Sequence, residues 1–150
     1  MSYVPDDLQY TKDHEWVRLD DSGVATCGIT DHAQTMLEDV VFVEMPEPGR
    51  QVQQRDQVAV IESERSVFDV HAPVSGKVIE VNTALEENPE LINNDPYGEG
   101  WLFRIAVKRK GKAGALLDAD EYQDYIAQAD EEEIEEEDDD ERNGEDEYDY

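Results

Sequence analysis

The sequence predicts a mostly β protein, a sandwich of short strands accompanied by a few small helices. Short apolar runs rich in Val and Ile recur along the chain and are separated by clusters of Gly, Pro, Asn and Asp. Two such runs, residues 58–61 and 67–70, flank the polar segment 62–66, which is the pattern of a β-hairpin. The segment before this hairpin (Gly49-x-x-Val52) is weakly similar to the segment after it (Gly76-x-Val78). Two similar halves that exchange strands would account for this weak internal repeat.

The first strands follow an N-terminal arm that covers residues 1–13. Residues 14–20 read as a strand with Trp16 directed inward. The turn signal of Asp21, Ser22 and Gly23 leads into a second strand that contains the only cysteine and ends at Thr30.

A short amphipathic helix is predicted after Thr30, because its hydroxyl is suited to an N-cap. Its apolar stripe recurs at helical spacing: Ala33, Met36, Leu37 and Val40. Residues 40–45 then regain strand character. The expected faces alternate, with Phe42 and Glu44 opposite Val41 and Val43.

The second half of the chain is predicted to alternate between strands and loops. Pro73 and Gly76 end the hairpin, because proline cannot donate to a ladder and glycine permits a left-handed turn. The Pro, Asn and Gly content predicts loops over residues 86–90 and 93–100. A closing strand is expected over residues 101–107. It is followed by a basic surface turn: Lys108, Arg109, Lys110, Gly111 and Lys112.

A terminal helix is predicted to begin after Asp118, which forms a capping-box pattern with Glu121. Its apolar stripe consists of Tyr122, Tyr125, Ile126 and Ala129. Beyond it, residues 130–150 contain fifteen Asp or Glu and one basic residue, which is half of the chain's net charge of −28. Such a segment cannot bury enough apolar surface to offset chain entropy. We therefore divide the chain into a folded domain (1–129) and a disordered acidic tail (130–150).

Charge and composition exclude several classes of function. The acidic surface repels nucleic acid and anionic membranes. The single cysteine, Cys27, excludes an intramolecular disulfide and reads as a small buried thiol. The three histidines, His14, His32 and His71, fall on separate predicted elements with no acid at metal spacing, so we predict no metal site.

The start of the chain has neither the basic and apolar regions of a signal peptide nor room for a transit peptide. No apolar run approaches the roughly 20 residues that span a bilayer. We therefore expect a soluble cytoplasmic protein. A monomer is a separate expectation.

The hairpin segment ESERSVFDVHAPVSG (62–76) resembles the lipoyl-attachment hairpin of the glycine cleavage system H protein family. Further segments resemble the same family in the same order: HEWV (14–17), GITDHAQ (28–34), VFVEMP (41–46), PELIN (89–93) and PYGEGWL (96–102). The resemblance extends to about residue 129. It implies a lipoyl/biotinyl-type β-sandwich, a barrel-sandwich hybrid, with short flanking helices.

The resemblance also implies a function without catalysis. In this family the H protein is not an enzyme. It carries an aminomethyl group on lipoate from glycine decarboxylase to aminomethyltransferase and is reoxidised by lipoamide dehydrogenase, so these three enzymes are the implied partners. The implied cofactor-binding positions are Arg65, Glu62, Asp69, Glu15 and Gly76, of which Glu15 and Asp69 match positions that line the sheltering cleft.

Arg65 occupies the position of the family's lipoyl-lysine. Lipoylation needs an ε-amine that loses its proton and attacks an activated acyl group, whereas a guanidinium stays protonated at physiological pH. We therefore expect no lipoate on this chain. One further expectation is that Arg65 folds into the acidic cleft beside Glu15 and Asp69; otherwise it is an ordinary exposed turn residue.

Three functions remain open from the sequence. The first is a non-lipoylated docking or regulatory homologue of the H protein. The second is a true H protein seen as a Lys-to-Arg variant. The third is an interaction module that acts through its acidic tail. Glu64 and Phe68, where the family usually has small or aliphatic residues, favour natural divergence over a single laboratory change.

Overall fold

The computed structural model describes residues 3–107 and 116–128. Nine strands are formed in this part of the chain: β1 (Gln9–Tyr10), β2 (Glu15–Leu19), β3 (Val24–Ile29), β4 (Val40–Glu44), β5 (Gln51–Val52), β6 (Gln57–Ser63), β7 (Val67–His71), β8 (Gly76–Val81) and β9 (Phe103–Val107). The helices are α1 (Asp31–Leu37), α2 (Ala84–Glu87), α3 (Leu91–Asn94) and a helix over residues 119–128, called α4.

The strands form two antiparallel sheets. One has six strands in the order β1-β2-β3-β9-β8-β5, and the other has three in the order β4-β6-β7. Strand β9 lies between β3 and β8, so the last strand joins the first segment of the chain to the segment after the hairpin. This architecture confirms the predicted mostly β sandwich with small helices.

The main core is a continuous apolar cluster with contributions from both sheets. Ile61 and Val70 of the smaller sheet belong to the same cluster as Ile29, Val78 and Phe103 of the larger one. A second, smaller cluster contains residues from the arm, β1, β2 and α4: Val4, Leu8, Tyr10, Trp16, Ala119 and Tyr122. Each fully buried large side chain contributes about 1.5–3 kcal/mol, so α4 is held by its apolar face.

The predicted hairpin is confirmed, although its tip is shorter than the sequence suggested. Strand β6 continues through Glu62 and Ser63, with Glu62 opposite Val67 in β7. The Ser63 hydroxyl accepts hydrogen bonds from the backbone N–H groups of Arg65 (3.3 Å) and Ser66 (3.1 Å), which closes the turn.

The predicted N-cap of α1 is confirmed, because Thr30 Oγ1 accepts a hydrogen bond from the Ala33 N–H (3.2 Å). The predicted stripe is only half right. Ala33 and Leu37 are buried, whereas Met36 is exposed and Val40 belongs to β4.

Asn93 explains the early end of α1. Its side-chain amide donates to the Glu38 carbonyl (2.6 Å), where the backbone has a positive φ of 66°, and its Oδ1 accepts from the Val40 N–H (2.9 Å). In β4, the register shifts between Val40 and Phe42, so Val41 and Phe42 are both exposed and the predicted alternation is wrong at this point.

Other boundaries also differ from the sequence prediction. The N-terminal arm contains strand β1, which pairs with β2 and bridges Tyr10 to Leu117. Helices α2 and α3, which are single turns that bury Leu85 and Ile92, overlap the starts of the predicted loops 86–90 and 93–100. The closing strand begins at Phe103 rather than at residue 101.

The capping box of α4 is confirmed, with Asp118 Oδ1 accepting from the Glu121 N–H (2.8 Å) and Glu121 Oε1 from the Asp118 N–H (2.9 Å). Tyr122 is fully buried, as predicted. The predicted basic turn (108–112), Ala129 and the acidic tail (130–150) lie outside the described residues.

Candidate functional site

The hairpin tip presents Arg65 to solvent, with 77% of its side chain exposed. Its Nη1 lies 3.4 Å from Glu38 Oε2, at the C-terminal end of α1. An exposed ion pair of this kind contributes at most about 1 kcal/mol. Arg65 is therefore an accessible cation that rests on the end of α1.

This placement contradicts the expectation that Arg65 folds into the cleft beside Glu15 and Asp69. Asp69 instead accepts a hydrogen bond from the Gln57 side chain (3.3 Å) on the neighbouring strand. Glu15 lies near the other end of α1, the N-terminal end. Thr30, the N-cap of that helix, donates its N–H to the carbonyl of His14, the residue before Glu15 (3.0 Å). A seven-residue helix is about 10 Å long.

Glu15 is the most unusual charged residue in the described part of the chain, because its side chain is only 1% exposed. Thr11 Oγ1 donates to its Oε1 (2.8 Å), and the His71 backbone N–H donates to its Oε2 (2.8 Å). Burial raises the pKa of Glu15 to about 7, although both hydrogen bonds favour the charged form and oppose that rise.

The structure places Asp13 and His71 beside Glu15. His71 Nδ1 lies 3.4 Å from Glu15 Oε2 and 3.7 Å from Asp13 Oδ2. Neither residue belongs to a site predicted from the sequence. Thr11 and Asp13 lie in the turn between β1 and β2, directly before Glu15. The meeting of this turn with β7 depends on the packing of separate hairpins, which the sequence does not reveal.

A cleft of about 310 Å³ opens next to these side chains. Its ionisable side chains are Lys12, Asp13, Glu15, Arg55, His71 and Glu121, and its apolar wall consists of Ala72, Pro73, Leu116 and Leu117. Of the five positions implied by the resemblance, only Glu15 lines this cleft. Asp69 and Glu62 lie further along the hairpin towards Arg65.

Gly76 lies at the start of β8, opposite Val52 and Val107, rather than in the left-handed turn that the sequence suggested. A Cβ at this position would collide with the Ala106 backbone carbonyl and would lie 2.7 Å from Ile105 Cγ2. The glycine is thus required by the close approach of β9 and has a structural role.

A buried polar network fixes the start of β2. The Tyr122 hydroxyl lies 2.8 Å from His14 Nδ1 and 2.8 Å from Thr30 Oγ1, and its ring stacks on Tyr10. Burial lowers the pKa of His14 to about 4, and nearby His32 adds to that effect. His14 is therefore a neutral partner of Tyr122 near neutral pH and anchors α4 beside Glu15.

Comparison with known proteins matches the family model "Glycine cleavage H-protein" over residues 8–129. The chain belongs to this family. It is 52% identical to the glycine cleavage system H protein of Psychrobacter cryohalolentis over 126 residues, which is 84% of this chain and 100% of the relative. With the H protein of Halorhodospira halophila it shares 52% identity over 127 residues, 85% of this chain and 98% of the relative.

The fold agrees with a solved member of the family. The crystal structure of a glycine cleavage system H protein from Mycobacterium marinum superposes with a TM-score of 0.75 at 38% identity, covering 84% of this chain and 98% of that one. This agreement confirms the lipoyl-type sandwich. The family is a carrier family, so the chain is not an enzyme, as the resemblance predicted. Among residues 3–107 and 116–128, no helix has the length and apolarity to cross a membrane.

The cofactor of the H-protein family is lipoate, bound covalently through a lysine. At the hairpin tip the side chain is the Arg65 guanidinium, paired with Glu38, and a guanidinium does not form the required amide. The residues present at the tip therefore do not fit the family cofactor.

Proposed function

We propose that this chain is an H protein of the glycine cleavage system, built as the carrier and present here with arginine at the carrier position. The family match over residues 8–129 supports this reading, because it includes the hairpin, the cleft and both sheets. The chain also covers 98–100% of the length of the relatives described above. The similarity favours a true H protein over a domain that has only kept the fold.

In the form with Arg65, we infer that the protein docks to the partner enzymes of the family but carries no aminomethyl group. The guanidinium remains charged and forms no lipoyl amide, so no cofactor is expected on this chain. The shape of the hairpin does not depend on residue 65, because the turn is closed by the Ser63 hydroxyl and the ladder beside it. Restoration of lysine should therefore restore the attachment site.

The partners proposed for this chain are those of the family: glycine decarboxylase, aminomethyltransferase and lipoamide dehydrogenase. We also propose a monomer that works in the cytoplasm and has its domain boundary near residue 129. The net charge of −28 disfavours nucleic acid and anionic membranes as alternatives.

A second candidate is a naturally diverged, non-lipoylated homologue that regulates the same enzymes. Glu64 and Phe68, where the family usually has small or aliphatic residues, bear on the choice between a true H protein and a diverged homologue. Phe68 packs against the main core, so its size has a structural reason that is unrelated to docking. Glu64 is exposed at the tip and remains the better argument for divergence.

Lipoylation of Arg65→Lys is the experiment that tests the carrier reading. The variant and the unchanged chain are incubated with a lipoate ligase, lipoate and ATP, and intact masses are measured. We expect one lipoyl adduct on the variant and none on the unchanged chain. A well-folded Arg65→Lys protein that gains no adduct would refute the carrier reading.

The matched control is Arg65→Gln, which removes the charge without adding an amine. An adduct on this control would locate modification at another lysine, such as Lys77 on β8. Lipoylated Arg65→Lys is then added to the three partner enzymes. Glycine cleavage at a normal rate supports a true H protein, whereas an adduct without turnover, together with inhibition by the unchanged chain, supports the regulatory homologue.

Deletion of residues 130–150 separates both candidates from an interaction module that acts through its tail. We expect the truncated chain to compete with a lipoylated H protein as well as the full chain does. If the truncated chain no longer competes, docking depends on the tail rather than on the folded domain.

A further inference from the structure

We propose that Asp13, Glu15 and His71 form a binding site for one divalent transition-metal ion, of which Zn²⁺ is the natural probe. The three ligand atoms, Asp13 Oδ2, Glu15 Oε2 and His71 Nδ1, lie within 4.8 Å of one another. Two carboxylates and one imidazole form a donor set that suits Zn²⁺ and its neighbours. The proposal goes beyond the carrier function and does not depend on residue 65.

Two of the three distances are close to those around a tetrahedral ion, and the third, between the Asp13 and Glu15 oxygens, is at most 4.8 Å. Zinc binds imidazole nitrogen and carboxylate oxygen at about 2.0–2.2 Å, which places two such ligand atoms about 3.4 Å apart. His71 Nδ1 lies 3.4 Å from Glu15 Oε2 and 3.7 Å from Asp13 Oδ2. The Asp13 side chain is 49% exposed and can rotate to adjust its distance to Glu15.

The second observation is the state of His71 Nδ1. This atom is buried, although the ring as a whole is 31% exposed, and it has no hydrogen-bond partner among the described residues. Its separations from the two carboxylates exceed the usual 2.7–3.2 Å of an N–H···O bond. A cation bound between this nitrogen and the two carboxylates would supply the partner that the nitrogen lacks.

The Glu15 carboxylate is oriented by hydrogen bonds, as the carboxylate of a metal ligand is. Thr11 and the His71 backbone N–H each donate to one of its oxygens, which fixes the carboxylate plane. Each carboxylate oxygen has two lone pairs, so Oε2 can still bind an ion. Such supporting hydrogen bonds orient ligands in known metal sites.

Two cationic side chains also line the cleft. The Lys12 ammonium lies 5.7 Å from the centre of the Tyr125 ring, and Arg55 is part of the lining. Their positive charge opposes Mg²⁺ and Zn²⁺ alike. Selectivity for Zn²⁺ therefore comes from the His71 nitrogen, a donor that suits Zn²⁺ better than Mg²⁺.

A bound ion would join the two sheets, because Glu15 belongs to β2 and His71 to β7. An ion that binds only the folded state raises the melting temperature. Thermal stabilisation by Zn²⁺ is therefore a readout independent of any carrier activity.

The test uses the full chain, stripped of metal with a chelator and titrated with Zn²⁺ in excess Mg²⁺. The excess Mg²⁺ competes with Zn²⁺ for carboxylates such as those of residues 130–150. We expect one Zn²⁺ per chain, a higher melting temperature, and a change in the ¹⁵N chemical shift of His71 Nδ1. Equal Zn²⁺ affinity of the unchanged chain and His71→Asn, or no binding under these conditions, would overturn the proposal.

Variants assign the ligands. His71→Asn and Asp13→Asn should each lower the Zn²⁺ affinity by on the order of tenfold or more. Asp13→Asn changes an exposed side chain, so it keeps the test valid if a Glu15 variant folds poorly. The matched control is His32→Asn, which also removes one imidazole but lies outside the cluster. Loss of binding in this control equal to that in His71→Asn would also overturn the assignment.

Discussion

The buried carboxylate of Glu15 makes a specific prediction about stability and pH. Replacement by glutamine keeps the size of the side chain and removes its charge. The pKa of Glu15 in the folded protein is raised from an ordinary 4.5 to about 7, chiefly by burial. The folded state therefore binds more protons than the unfolded state between these two values.

The sign follows from this difference in proton binding. The stabilising contribution of the protonated carboxyl is complete below pH 4.5 and is lost as the pH rises to about 7. One pKa unit corresponds to about 1.4 kcal/mol, so the loss amounts to about 3 kcal/mol. Glu15→Gln lacks a titrating group and does not share this loss. Relative to the unchanged chain, its unfolding free energy should therefore rise by about 3 kcal/mol between pH 4.5 and pH 7.5.

The assay is urea denaturation of both proteins at several pH values, with EDTA present to remove bound metal. The comparison rests on the change with pH, because glutamine cannot reproduce both hydrogen bonds of Glu15 and some stability is lost at every pH. The control is Glu44→Gln, which removes an exposed carboxylate from β4. A difference between Glu15→Gln and the unchanged chain that stays constant with pH would refute the burial argument.

Three further outcomes test the packing of the folded domain. Tyr122→Phe removes the hydroxyl shared by His14 and Thr30, and we expect a loss of about 1–3 kcal/mol in the unfolding free energy measured with urea; an unchanged midpoint would contradict the buried network. Gly76→Ala forces a Cβ against the facing carbonyl of β9, and we expect a destabilisation of about 1–3 kcal/mol in thermal denaturation. A normal melting temperature would show that β9 can move away. The Cys27 thiol is fully buried and its pKa is raised by that burial, so it should react with an aromatic disulfide reagent only after unfolding; rapid reaction of the folded protein would disprove its burial.

Local rules predicted much of the secondary structure correctly. The hydroxyl of Thr30, the pair Asp118 and Glu121, and the β-branched runs around residue 65 each form the element that their chemistry favours. These signals depend on neighbours in sequence, so a single chain reveals them. The errors at Val40 and Gly76 have one cause. Asn93 and β9, which are distant in sequence, determine the backbone at those positions.

The sequence by itself determined the sandwich, the family and the identity of the side chain at the hairpin tip. The proposal that this side chain carries no lipoate also rests on the sequence, because it follows from the chemistry of a guanidinium. Only the tertiary structure decided where charges meet. Arg65 pairs with Glu38 rather than entering the cleft, and His71 approaches Asp13 and Glu15 across two sheets. The physical reason is that contacts between hairpins follow from the packing of their buried faces, whereas the sequence order of the polar residues leaves those contacts undefined.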